Sequence, residues 1–140
     1  MKKKLVIDAS VAIKLYFEEV HSDTAEKCMS QASQLLAPDL IWVETANVVW
    51  KRHQRGEISA DDAAQIAEQL LNIPFQIHPS DGLLTDALAL AMQYNRTVYD
   101  CLYLALAIST KSVMITGDKR FANALKQTPH EPYILSLDTI

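Results

Sequence analysis

Four acidic residues, Asp8, Glu44, Asp100 and Asp118, stand where this 140-residue chain otherwise reads as buried hydrocarbon. Asp8 closes the apolar run Leu5-Val6-Ile7, Asp100 precedes the apolar stretch Cys101 to Ile108, and Asp118 follows Val113 to Thr116. Glu44 interrupts Leu40-Ile41-Trp42-Val43 and Val48-Val49-Trp50. A carboxylate taken out of water is costly unless it is paired or holds a metal, so the four call for one shared explanation. Hard oxygen ligands suit Mg2+ or Mn2+, which prefer octahedral sites and keep several waters. Zinc would draw on His or Cys, yet His21, His53, His78 and His130 are scattered singly, and Cys28 and Cys101 form no paired spacing. Carboxylate-held Mg2+ in turn suits phosphoryl chemistry, which makes a metal-dependent phosphoester hydrolase the physical reading.

Each acid also has a bland reading. Asp8, Asp100 and Asp118 stand at or just before expected helix starts, where an Asp caps the helix and suits its dipole. Capping and metal binding are compatible, because a carboxylate accepts more hydrogen bonds than one N–H supplies. Glu44 escapes that explanation, since it lies inside a helix, and its bland alternative is a solvated surface residue. Its neighbours one turn away are Leu40, Ile41, Asn47 and Val48, none of them basic. Asn47 shares its face. Asp100 is read as having no base nearby in sequence and as entering a buried helix, because the residues after it are apolar nearly all round.

The elements that must position these acids alternate between short β-rich runs and helical patterns. Strands are expected at 4–7, 35–37, 75–78, 113–116 and 133–137, and helices at 11–17, 21–34, 39–54, 60–72, 80–94, 100–110 and 119–125. Ser10 or Asp8 would cap the first helix, Pro38 would open the third, and Gly56 would end it in a left-handed cap. Ser59 with Asp62 resembles a capping box, and Ser80 would begin the fifth helix. Strands separated by helices imply right-handed crossovers and an α/β fold, a three-layer sandwich with a mostly parallel sheet of about five strands. Sites in such folds form beyond the carboxyl ends of the strands, the edge that receives Asp8 and Asp118.

With 49% hydrophobic content and no repeat or linker, residues 1–140 are expected to form a single domain. Lys2-Lys3-Lys4 is followed by only three apolar residues, too few for a secretory segment, and Cys101 to Ile108 is too short to cross a bilayer. Reduced thiols in a cytoplasmic protein with no membrane association are the expectation. The formal charge of −4 argues at first against a nucleic-acid partner. Setting aside the four acids as metal ligands leaves acidic residues equal in number to the 13 basic ones, so bulk charge decides nothing.

At these residues the chain resembles the PIN domains, and most closely the VapC ribonuclease toxins of toxin-antitoxin pairs. The resemblance is carried by Val6-Ile7-Asp8-Ala9-Ser10-Val11-Ala12-Ile13-Lys14, by Ala37 to Asn47, by Thr97 to Ala107, and by Ile115-Thr116-Gly117-Asp118-Lys119-Arg120-Phe121. It spans essentially the whole chain. It implies a carboxylate pocket in which Asp8 and Asp100 hold the main Mg2+ or Mn2+ ion while Glu44 and Asp118 complete the cluster or orient the attacking water. Ser10 and Thr116 would hydrogen-bond within that pocket, and Asn47 would support Glu44 from outside it. It further implies an RNA substrate, a homodimer, and a cognate antitoxin whose groove Tyr16, Phe17, Trp42 and Trp50 could line, core packing being the alternative for each. Lys14, Lys51, Arg52, Lys119 and Arg120 are candidate RNA contacts, with solvated charge as the alternative. Tyr99 and Tyr103 read as core. Two rivals remain: a phosphatase of the haloacid dehalogenase type, which needs a second Asp where Ser10 stands, and a nuclease-shaped binding module without catalysis, although all four acids are present.

Overall fold

A computed structural model describes residues 2–140. Five strands, β1 (Lys4–Ile7), β2 (Gln34–Pro38), β3 (Phe75–His78), β4 (Val113–Thr116) and β5 (Ile134–Ser136), form one parallel sheet in the order β3-β2-β1-β4-β5. The uninterrupted apolar runs of β1 and β4 suit strands covered on both faces. Leu5, Val6 and Ile7 pair with Val113, Met114 and Ile115, while Lys4, Leu5 and Val6 pair with Gln34, Leu35 and Leu36. The chain leaves β1 toward β2 and later returns to its other side as β4, so β1 and β4 flank the point where the strand order reverses. Ligand crevices open at that point in parallel α/β sheets.

The helices are α1 (Ala9–Ala12), α2 (Ser22–Gln31), α3 (Leu40–Gln54), α4 (Ala60–Leu70), α5 (Leu84–Tyr94), α6 (Val98–Thr110) and α7 (Lys119–Ala124). Right-handed crossovers put α1 to α4 on one face of the sheet and α5 to α7 on the other. Cys101 to Ala107 are all buried, so α6 is the core helix the sequence led one to expect, packed across β1, β2 and β4. A smaller cluster of Ile13, Phe17, Val49 and Leu70 ties α3 and α4 to the segment after α1.

Several boundaries differ from expectation for identifiable reasons. The expected helix 11–17 starts earlier and tightens into a 3-10 turn at Ile13–Leu15. The second helix ends at Gln31, because Gln34 already pairs in the sheet. Pro38 opens no helix: it closes β2 beside His78, beyond the last residue paired to β1, where a missing N–H is tolerated. Asp39 then spends its carboxylate on Ser80, accepting from its N–H (3.1 Å) and its hydroxyl, which draws Ser80 into a separate 3-10 turn instead of α5. Gly56 takes the left-handed backbone expected of it (φ 78°), and Ser59 caps α4. No helix among the described residues is long and apolar enough to cross a membrane.

Candidate metal centre at the switch point

Asp8 follows β1 directly and extends its ladder by one bond, its N–H donating to the Ile115 carbonyl at 3.3 Å. Its side chain caps α1. Oδ1 accepts from the Val11 N–H at 3.1 Å and from the Ser10 hydroxyl at 2.6 Å, and Oδ2 accepts from the Thr116 hydroxyl at 2.6 Å. Both hydroxyls are themselves oriented from the β4 end: Ser10 Oγ accepts from the Gly117 N–H (3.0 Å) and Thr116 Oγ1 from the Asp118 N–H (3.0 Å). A Cβ added at Gly117 would stand 3.0 Å from Ser10 Oγ, so a larger residue there would press on the hydroxyl that aims Asp8.

Asp118 caps α7, with Oδ1 accepting from the N–H groups of Arg120 (3.0 Å) and Phe121 (3.2 Å). Its other oxygen, Oδ2, accepts from the Arg96 guanidinium. Asp100 is not a cap, contrary to one of its two sequence readings. Thr97 caps α6 by accepting from the Asp100 N–H at 3.1 Å, which places Asp100 in the first turn with its carboxylate uncommitted to the backbone. Glu44, half-buried on α3, accepts from the Tyr103 hydroxyl of α6 at 2.6 Å.

The charges feel one another through Asp100. Burial, and then the Asp100 charge, push the Asp8 carboxyl up to about 6, against the downward pull of its Ser10, Thr116 and Val11 hydrogen bonds. Burial and Asp100 likewise raise Glu44, partly offset by Tyr103. Asp100 is raised by burial and by Asp118, while Arg96 pulls it down. The Tyr103 phenol is held firmly protonated by burial and by Glu44, Asp8 and Asp100, so it can only donate toward Glu44. Acids crowded until protonation becomes easier are the environment a divalent cation relieves. The donor set is oxygen only, which fits Mg2+ or Mn2+ and not zinc.

No three His, Cys, Asp or Glu side chains among the described residues are drawn together at ligand spacing in this arrangement. Two of the four acids are occupied by Arg96, whose guanidinium pairs with Asp118 and lies 3.6 Å from Asp100 Oδ2.

A family model described as PIN domain matches residues 5–126. The chain belongs to the PIN domain family. Its sequence is 39% identical over 121 residues to Ribonuclease VapC3 of Pyrobaculum aerophilum, covering 85% of this chain and 92% of that one. Two solved structures share the PIN fold. PAE2754 of Pyrobaculum aerophilum superposes with a TM-score of 0.70 at 23% identity, over 98% of this chain and 85% of that one. A chain of a toxin-antitoxin complex from Klebsiella pneumoniae gives a TM-score of 0.66 at 19% identity, over 95% and 97%.

Within this PIN domain the sequence reading missed two residues and misjudged others. Arg96, four residues before Asp100 in the connection that precedes α6, is the base that the sequence expectation for Asp100 omits. Tyr103 lies three residues after Asp100, on the same face of α6, and supports Glu44 in place of Asn47, which is exposed and does not hydrogen-bond to it. Tyr99 is 61% exposed and not core, whereas Tyr103 is core as expected. Lys14 and Arg52 are spent on Glu19, and Arg52 also reaches Glu57 and lies over the Phe17 ring. Lys51 and Arg120 are exposed, and Lys119 is 3.6 Å from Asp138. Of the four aromatics considered for a groove, Phe17 is buried, Tyr16 donates to the Gln69 carbonyl, and Trp42 packs edge-on against Phe75. Trp50 alone of them is largely exposed.

Proposed function

We propose that this PIN domain is a divalent-metal-dependent endoribonuclease and the toxin of a toxin-antitoxin pair, with residues 1–140 acting as one nuclease unit. The observation that carries the chemistry is the set of three acids, Asp8, Glu44 and Asp100, each made easier to protonate by burial and by a neighbouring carboxylate at the mouth between β1 and β4. The named relative, Ribonuclease VapC3, supports RNA as the substrate. The toxin-antitoxin complex that shares the fold supports a protein antitoxin as the partner. Family membership supports a homodimer and a cytoplasmic location free of membrane as part of this reading.

Asp8 and Asp100 would hold the main Mg2+ or Mn2+ ion, with Glu44 and Asp118 completing its shell or orienting the attacking water. When bound, such an ion acidifies water and stabilises the oxygen that leaves phosphorus. The chain's own work is orientation. Ser10 and Thr116 fix both oxygens of Asp8, and Tyr103 fixes one oxygen of Glu44. Lys14, which also pairs with Glu19, and Lys119 line one cavity with Gly117, next in sequence to Asp118, and are the candidate contacts to the RNA backbone. The haloacid dehalogenase alternative loses its acid, because Ser10 donates to Asp8 where that chemistry requires a carboxyl.

The test is RNA cleavage by protein stripped of metal and then resupplied with Mn2+. Asp8→Asn and Asp100→Asn should each lose more than about 100-fold in rate, beyond what removing an outer-shell partner costs. Circular dichroism should show both folded. Cleavage by these variants equal to that of the unmodified chain, or cleavage indifferent to metal removal, would sink the assignment.

A further inference from the structure

Arg96 is the one cation that touches any of the four acids among the described residues, contacting Asp100 and Asp118, and nothing in the proposed chemistry uses it. Its position is built, not incidental. Asn95 takes the left-handed backbone (φ 53°) that ends α5, and the Arg96 N–H closes the cap on the Ala91 carbonyl at 3.2 Å. The chain re-enters a helix two residues later, which leaves Arg96 at the crevice rim one turn before Asp100. Its guanidinium carbon lies 4.9 Å from the ring centroid of the fully buried Phe121, and its side chain is 21% exposed.

The pairing itself is incomplete. A structural Arg-carboxylate pair presents two parallel N–H bonds to one carboxylate. Here a single terminal nitrogen, Nη2, serves both Asp118 and Asp100, and Nε is buried with no acceptor. A buried donor without a partner costs free energy, so the resting position is held by charge and not by a satisfied hydrogen-bond network. Asp8 and Glu44, by contrast, receive only neutral donors.

We propose that Arg96 is a resident counter-cation that occupies Asp100 and Asp118 in the metal-free chain and competes with the divalent ion for them, so that metal loading requires its release. This rests on the reading of the four acids as a metal centre. The arrangement places a positive charge where Asp100 and Asp118 would otherwise stand uncompensated. It also gives the chain a way to tolerate clustered acids before an ion arrives, at the cost of a higher ion concentration needed for activity. Arg96 is thus a positioning residue that sets metal affinity.

Calorimetric titration of metal-free protein with Mn2+ tests this without reference to cleavage. Arg96→Gln should bind Mn2+ at least about fivefold more tightly than the unmodified chain, the lower end of ordinary coupling between two sites. Its metal-free melting temperature should fall, and the rise caused by Mn2+ should grow. Arg96→Lys keeps a charge on a single ammonium and should fall between the two, which also decides the matter if the Gln variant does not fold. Equal or weaker Mn2+ binding by whichever variant folds would overturn the competition. If Asp8→Asn binds Mn2+ as tightly as the unmodified chain, the metal-centre reading itself fails, whatever Arg96 does.

Discussion

The acid crevice is built from two halves that handle negative charge in opposite ways. Asp8 and Glu44 are held by hydroxyls, those of Ser10 and Thr116 on one and of Tyr103 on the other. Asp100 and Asp118 are held by the guanidinium of Arg96. A hydroxyl aims a carboxylate without cancelling its charge, whereas a guanidinium does both. Burial raises both halves: Asp8 rises to about 6 despite three hydrogen bonds that favour its ionised form, and Asp100 is raised as well, with the Arg96 charge as the chief pull the other way. One half is therefore oriented but uncompensated, and the other carries a provisional counterion. A fold shaped for stability alone would have paired or removed such acids, so the unmet charge marks the half where an added cation gains most.

That contrast can be broken most forcefully at the hydroxyls. Thr116→Val and Tyr103→Phe each remove one aiming donor and leave every charge in place. Each should lower Mn2+ affinity or RNA cleavage about 10- to 100-fold, as outer-shell partners of metal ligands do. Unchanged titrations for both variants would mean that the hydroxyl-held half needs no aiming.

A smaller effect sharpens the electrostatic side. The Asp8 carboxyl sits at about 6 in the folded chain against an ordinary 3.8, so the folded state binds that proton more tightly than the unfolded state. Its stabilising contribution is complete below pH 3.8 and is lost as pH rises through 6. Glu44 and Asp100 are shifted in the same direction. The melting temperature of metal-free protein should therefore lose ground between pH 4 and 7 relative to Asp8→Asn, and saturating Mn2+ should restore it above pH 6. Parallel melting curves for the two proteins across that range would count against the uncompensated state of Asp8.

The smallest effect lies outside the acids. Lys14→Ala and Lys119→Ala should weaken RNA binding only a fewfold, and each should reduce the salt dependence of log K by about 0.7, the value for one phosphate contact on a single strand. An unaltered salt slope would remove that lysine from the RNA path.

Much of this was legible before any coordinates. The run Cys101 to Ala107 is apolar all round and is the buried helix; Leu5-Val6-Ile7 is an interior strand that delivers Asp8 to the carboxyl edge of the sheet. Glu44 stood out because its own helix supplies no base and no capping role. Asn47 failed as its partner because same-face proximity on a helix does not specify which neighbouring element supplies the donor, and α6 supplies Tyr103. Pro38 misled because its preference for helix starts is local, whereas its place at the end of β2 is set by pairing with β3.

The sequence by itself determined the alternation of strands and helices, the identity of the four acids and the oxygen-only chemistry they suit, because hydrophobic period and side-chain type are properties of the chain alone. Only the tertiary structure decided which partner each acid has. Asp8 meets Thr116 across 108 residues and Glu44 meets Tyr103 across 59, distances over which residue spacing carries no information. Arg96 shows the boundary between the two. Its one-turn spacing from Asp100 was written in the sequence, but its reach to Asp118 depends on the β4 end folding back beside the start of α6. That fold is what turns a local ion pair into a bridge across the crevice.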